Sequence, residues 1–416
     1  MSVKTNSASP VTPCYIRDYG LICALGEGKA AVSAALSAWH SSGVTPLDRE
    51  QAELSDGRLT PVGRVRAELP TIPAALAPYE SHNNRLLLAA LAQIQPALDE
   101  LKSRFGADRI AIVLGTSTSG IAEAEAAVAT AQAGQPLPAG FDYRQQELGS
   151  PSEFLARYLA LTGPAYTLST ACSSSARAFI SGQRLLMSSL ADAVIVGGVD
   201  SLCGLTLNGF DSLESLSTDL CHPFGSDRRG INIGEGAALF LLTREPASLA
   251  LLGAGESSDA WHISAPHPDG IGAEAAMRMA LQQTGLEAVD IDYINLHGTA
   301  TRLNDEMESK ALARLYGDES TAPCSSTKML TGHTLGAAGA IEAALCCLLM
   351  EQVLTPPHQG GVQDPALAPI ALVQPASAAE IGKPLARVLS NSFAFGGNNV
   401  SLLLGRSGQD HQGKAL

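Results

Sequence analysis

The chain has 416 residues, 45% of them hydrophobic and only 16% charged, which supplies a large apolar core and excludes a disordered or fibrous protein. Its 41 acidic residues against 27 basic ones leave a formal charge of −14, which argues against a duplex nucleic-acid partner and against anionic membranes. Eight scattered cysteines with no CxxC or Cys/His metal spacing argue for a reduced, cytoplasmic setting.

Residues 1–13 read as a polar leader without the apolar stretch of a signal peptide. Residues 14–26 then read as a strand and a glycine-limited turn, 30–40 as a helix, and 48–69 as a polar, irregular excursion. Leu86, Leu87, Leu88, Leu91, Ile94 and Leu98 recur at helical spacing and predict a helix over 83–103, with Pro96 expected to kink or split it. The apolar run 109–115 predicts a buried strand opening into TSTSG, a loop that matches neither GxxxxGK[ST] nor GxGxxG and so carries no nucleotide reading. A hydrophobic segment, ALTGPAYTLST, runs into Cys172, and strands are expected at 193–199 and 237–242.

The rest repeats this plan. A strand starts at Leu251, helices fit 273–285 and 305–316, and a strand over 291–296 ends at His297. A buried helix fits 336–351. Its apolar core, 337–350, is too short for a bilayer and carries Glu342, so a soluble protein is expected. Closing strands at 386–392 and 400–404 flank FAFGGNN, and 406–416 is a polar tail. Residues 14–250 and 251–405 therefore read as two similar βαβαβ-type halves of one α/β fold, without a literal sequence repeat.

Chemistry concentrates at predicted strand ends. In TLSTACSSSAR, Cys172 is expected at the first turn of a buried helix, where the helix dipole and unpaired N–H groups favour thiolate; the plainer alternative is a small buried cysteine packing like alanine. His297 follows a strand in NLHGTAT, Lys328 and His333 lie in SSTKMLTGHTLGAAGA, and Gly396 and Gly397 punctuate NSFAFGGNN. Singly, each reads as a core histidine, a surface lysine or a tight turn. Four such features at strand mouths read as one site, because side chains at strand ends of α/β sheets converge.

These motifs, in this order over residues 14–405, resemble the elongating β-ketoacyl-[acyl-carrier-protein] synthases of the thiolase superfamily. The resemblance implies a layered α-β-α-β-α core, the first half carrying Cys172 and the second the histidines and lysine. Cys172 would take the acyl chain as a thioester, and His297 and His333 would donate hydrogen bonds to the malonyl thioester carbonyl as CO2 leaves. Lys328 would orient that pair, with Glu342 as its partner. The N–H groups of Cys172 and Phe395 would form the oxyanion hole, with Phe395 as a gate flanked by Gly396 and Gly397. Thr299 and Thr301 would support the site, and Thr118 and Phe210 would line the acyl pocket.

The resemblance implies no cofactor and no catalytic metal; a structural cation near Asn295 and Glu342 stays open. The partners implied are an acyl carrier protein and either a second copy or a ketosynthase-like chain-length factor. Arg64, Arg66, Arg228, Arg229 and Arg302 are the candidate basic docking residues. Arg302 stands where the family usually has proline, and Ala394, where it commonly has glycine, is expected to stiffen the gating turn. Thr118, small and polar where long-chain fatty-acid enzymes are bulky and aliphatic, points to a different channel. NNRLLLAALAQIQP, YRQQELGSPSEF and CHPFGSDRRGINIGE resemble the ketosynthases of bacterial aryl-polyene pathways. Housekeeping fatty-acid elongation and a non-catalytic chain-length subunit remain the alternatives, the latter typically lacking the cysteine. A degradative thiolase would want a second catalytic cysteine, which FAFGGNN does not offer.

Overall fold

The computed structural model describes residues 13–375 and 384–407, so the polar leader and tail lie almost wholly outside it. Strand β1 (Cys14–Cys23) turns through β2 (Gly26–Glu27) into α1 (Gly28–Ser42). The excursion expected to be irregular contains an antiparallel hairpin of β3 (Gln51–Glu53) and β4 (Leu59–Pro61). Helix α2 (His82–Phe105) starts at Ser81, whose hydroxyl accepts from Asn84 N at 3.1 Å. It runs unbroken through Pro96. Buried Leu86, Leu87, Leu91, Ile94, Leu98 and Leu101 outweigh the proline. Each such side chain contributes about 1.5–3 kcal/mol, against a proline cost of about 3 kcal/mol.

Next come β5 (Ile110–Gly115), α3 (Ile121–Gln132), α4 (Ser150–Tyr158), β6 (Ala165–Leu168), α5 (Ser174–Met187), β7 (Ala193–Asp200), α6 (Gly204–Ser212) and β8 (Gly236–Thr243). The second half comprises β9 (Leu249–Ser258), α7 (Ile271–Gln282), β10 (Tyr293–Asn295), α8 (Arg302–Tyr316) and β11 (Cys324–Ser325). It ends with α9 (Lys328–Thr331), α10 (Ala338–Gln352), β12 (Arg387–Phe393) and β13 (Asn398–Arg406). The boundary expected at 250/251 falls two residues inside β9, because the apolar run begins at Leu249.

Apart from the β3–β4 hairpin, the strands form one sheet in the order β11-β10-β12-β13-β9-β1-β8-β7-β5-β6, with β2 beside β1. The two wings repeat each other. From β1 outward the partners are antiparallel, antiparallel, parallel and parallel through β8, β7, β5 and β6. From β9 outward the same sequence runs through β13, β12, β10 and β11. The duplicated plan expected from the pattern of elements is therefore present in strand order and direction. The wings join where Cys14, Tyr15 and Ile16 pair with Leu251, Ala250 and Leu249.

Helices α5 and α10 pack between the wings, α2 and α4 cover one outer face, and α7 and α8 the other. Alternation explains the unbroken apolar strands. In β5, Ile110, Ile112 and Leu114 join the α2 layer while Ala111 and Val113 join the central one. The stretch Leu335–Gln352, long and apolar enough to cross a membrane, is 89% buried as part of that central layer. A Cβ on Gly339 would sit 2.7 Å from Ala176 Cβ, so the small-residue segments SSSARA and GAAGA let α5 and α10 touch almost backbone to backbone. Because the segments after β6 and β11 lead into these two helices, their starts meet.

Candidate active site

Cys172 lies on the turn between β6 and α5, with Ala171 in the left-handed region at φ 51°. Hydroxyls tie the turn down: Ser174 Oγ accepts from Thr170 N at 2.9 Å and donates to Ala171 O at 2.5 Å. The thiol is not within the first helical turn as expected; Ser173 is the N-cap and α5 begins at Ser174. Nor is thiolate favoured in the closed site. Burial raises the thiol to about 11, although Lys328 and the backbone N–H groups of Phe395 and Cys172 pull it back. Alkylation of Cys172 by iodoacetamide should therefore climb roughly tenfold per pH unit from about pH 7 to about pH 10, since only thiolate reacts. Peptide mass spectrometry reads the rates; a plateau near neutral pH would contradict the raised value.

His333 Nε2 stands 3.0 Å from Cys172 Sγ. The main chain of His333 is clamped, its N donating to Asn232 O at 2.7 Å and its O accepting from Gly234 N at 3.0 Å. Its Nδ1 is buried without a hydrogen-bond partner among the described residues. Across the cavity the His297 ring meets His333 edge-on, centroids 5.5 Å apart. Lys328 Nζ donates to His297 O at 2.5 Å and to Glu342 Oε1 at 2.5 Å, and lies 3.5 Å from His297 Nδ1. An ammonium has only protons to offer, so Nδ1 is the acceptor and the His297 proton sits on Nε2. Burial holds both imidazoles well below their usual value, with Lys328 adding to the effect, so both are neutral.

The Cys172, His297 and His333 donor atoms lie within 4.8 Å of one another. A thiol and two imidazoles are also a donor set that zinc accepts. Separately, Asn295 Oδ1 and Glu342 Oε2 are buried without partners among the described residues.

The cavity over these groups is small, about 20 Å³, roughly one water. Phe210, Thr299, Thr301 and Phe395 help line it. Phe395 closes the top, its ring 5.6 Å from that of Phe210. Gly396 and Gly397 take φ of 80° and 74°, conformations that only glycine adopts cheaply. Ala394 sits at φ −93°, ψ 156°, ordinary extended backbone, so no glycine is needed there. The turn is anchored to a neighbouring loop by Gly396 N to Ile263 O and Asp259 N to Gly397 O, both 2.8 Å.

Thr118 is not among the residues lining this cavity. Its N and Oγ1 both donate to Asp200 Oδ1, at 2.8 and 2.7 Å, and the residue is fully buried. Asp200 also accepts from Thr116 Oγ1 and from Ala337 N ahead of α10, so Thr118 belongs to a brace between the β5 loop and the central layer. Outside Phe395 lies a larger cavity, about 570 Å³, bordered by Arg228, Arg229 and Arg302. Arg228 is internal, its side chain 9% exposed and paired with Asp364. Arg229 is 74% exposed beside Asp219, and Arg302 is exposed. Arg64 and Arg66 both pair with Glu50 elsewhere on the surface.

Sequence reasoning missed Asp305 and Glu308. Glu308 accepts from His297 N and Gly298 N, both at 2.8 Å, and Asp305 accepts from Thr299 N, Ala300 N and Phe224 N. Together they hold the HGTAT turn to α8. Both carboxylates are fully buried, yet RLNDEMESK reads as a solvated charged face, so only their i, i+3 spacing hinted at a shared side.

Comparison with known proteins agrees with this geometry. Residues 84–247 match "Beta-ketoacyl synthase, N-terminal domain" and residues 249–361 match "Beta-ketoacyl synthase, C-terminal domain". A 3-oxoacyl-[acyl-carrier-protein] synthase 2 of Rhizobium meliloti is 39% identical over 263 residues, covering 59% of this chain and 62% of that protein. The chain thus spans about three fifths of the length of that relative. The Synechocystis protein of the same description is 32% identical over 333 residues, covering 75% of this chain and 79% of that one. Among solved structures, a chain of the ketosynthase ApeO in complex with its chain length factor ApeC, from Xenorhabdus doucetiae, superposes with a TM-score of 0.88. It is 51% identical, and the match covers 98% of this chain and 100% of that one. With both domain descriptions matched in order and a Cys–His–His–Lys cluster at the junction of the two wings, the chain belongs to the β-ketoacyl synthase family.

Proposed function

We propose that the chain is a β-ketoacyl-[acyl-carrier-protein] synthase that joins a malonyl unit on a carrier protein to an acyl chain on Cys172, by decarboxylative Claisen condensation, during elongation of an aryl-polyene or related polyketide chain. One observation carries the reading: a thiol and two neutral imidazoles meet in one cavity, and a buried lysine fixes the proton of one imidazole on the side facing it.

In the first half-reaction Cys172 Sγ attacks the acyl thioester. Its proton goes to the departing carrier thiolate, while His333, 3.0 Å away through Nε2, keeps its own N–H there and steadies the charge developing on sulfur. The backbone N–H groups of Cys172 and Phe395, which lower the thiol's pKa against its burial, take the tetrahedral oxyanion. In the second, the malonyl C–C bond breaks, CO2 leaves, and the electron pair becomes a thioester enolate whose oxygen accepts from His297 and His333 N–H. The enolate carbon attacks the acyl-Cys172 carbonyl, and collapse releases the β-ketoacyl-carrier and the Cys172 thiolate, which takes up a proton. A hydrolase would place an acid on His333 Nδ1, and that atom has no partner among the described residues.

The aryl-polyene assignment is supported by the stretches quoted above and by the 51% identity to a chain of the ApeO–ApeC complex. The same likeness supports a chain-length-factor partner. A cytoplasmic setting is supported by eight free cysteines. Carrier docking is supported at the outer cavity, where Arg229 and Arg302 border the approach to Phe395. Cys172 distinguishes the chain from a chain-length subunit. The test supplies malonyl-carrier and an acyl-primed carrier together and follows CO2 release and the mass of the Cys172 peptide. Acyl-Cys172 and CO2 are expected; absence of both would end the reading.

A further inference from the structure

Two cavities, one over Cys172 and one outside Phe395, share five bordering residues: Ser215, Thr301, Asn304, Phe393 and Phe395. These residues form the neck between the catalytic groups and solvent. Two of the three polar side chains are already engaged. Ser215 Oγ donates to Leu213 O at 3.1 Å, and Thr301 Oγ1 shares a hydrogen bond with Thr299 Oγ1 at 2.9 Å.

Asn304 is different. It is only 7% exposed, on the first turn of α8, and its Nδ2 has no hydrogen-bond partner among the described residues. A buried amide left unpaired is costly, and native proteins keep few of them without a ligand or water to satisfy them. The acids one and four residues further along α8 are spent holding the HGTAT turn, so the helix is fixed and Asn304 is presented at the neck by a rigid element.

On the proposed reaction, whatever reaches Cys172 through this neck is the pantetheine arm of a carrier, a thin chain whose polar groups nearest the thiol are two secondary amides. We propose that Asn304 is a substrate-positioning residue whose carboxamide N–H donates to an amide carbonyl of that arm as it passes the neck. This rests on the ketosynthase reading and adds to it a reader of the arm's amides, separate from the groups that do the chemistry. An apolar tether of equal length would leave Asn304 unpaired, and discrimination against ligands that cannot satisfy a buried polar group is typically strong.

The experiment compares malonyl-pantetheine with the malonyl thioester of a plain alkanethiol of similar length, in wild type, N304L and N304A, following CO2 release. Wild type should prefer malonyl-pantetheine, and N304L should reduce the ratio of the two kcat/KM values roughly tenfold, chiefly through KM, the size expected for one hydrogen bond to a buried group. N304A guards against misfit of the leucine and should move the ratio the same way. An unchanged ratio in both variants would overturn the Asn304 assignment alone. Failure of wild type to decarboxylate either thioester would instead overturn the ketosynthase reading beneath it.

Discussion

Replacing Cys172 with alanine is expected to abolish chain extension while CO2 release from the malonyl-carrier continues. The two activities separate because they use different atoms. Condensation needs Sγ to hold the acyl group, and the Ser215, Thr299 and Thr301 hydroxyls that border the cavity are hydrogen-bonded and far less nucleophilic than a thiolate. Loss of a covalent nucleophile typically costs on the order of a million-fold in kcat. Decarboxylation needs only the donors that receive the enolate oxygen, and His297 remains keyed by Lys328 with or without the thiol. The measurement is parallel: labelled CO2 from malonyl-carrier, and product mass from the same reaction. Retained extension in C172A would refute the nucleophile role.

His333→Ala should show the complementary pattern, with decarboxylation falling about 10²–10³-fold, the usual effect of removing one donor from a developing oxyanion. Acylation of Cys172 should survive, slowed by loss of the N–H donor 3.0 Å from Sγ. His333→Asn, which restores an N–H at similar reach, should recover part of the CO2 release. Unchanged CO2 release in H333A would remove that residue from the enolate site.

Much of the framework was readable from local pattern. Continuous apolar runs became central strands because both of their faces are covered, and the duplicated order of elements reappeared as two wings with matching strand directions. Cys172, His297, Lys328, His333 and Phe395 were recognisable because each follows a strand or glycine-rich turn and together they spell a family pattern. The misreadings also have physical causes. The excursion at 48–69 hides a hairpin too short to show alternation. Thr118, which the resemblance places on the acyl pocket, has its hydroxyl tied to Asp200, a contact no local pattern reports.

Sequence alone determined the residue types of the site and their place at the ends of strands, because those depend on hydrophobic period, turn chemistry and a few recognisable motifs. Only the tertiary structure decided what each group does to its neighbours. It took the meeting of α5 and α10 to put His333 beside Cys172, 161 positions away in the chain. Burial, which no local pattern reports, set the direction of the thiol and imidazole pKa values and opposed the effect expected of the helix end. Burial also separated Asp305 and Glu308, which brace the site from within, from charges that are merely solvated, and left Asn304 with an amide still waiting for a partner.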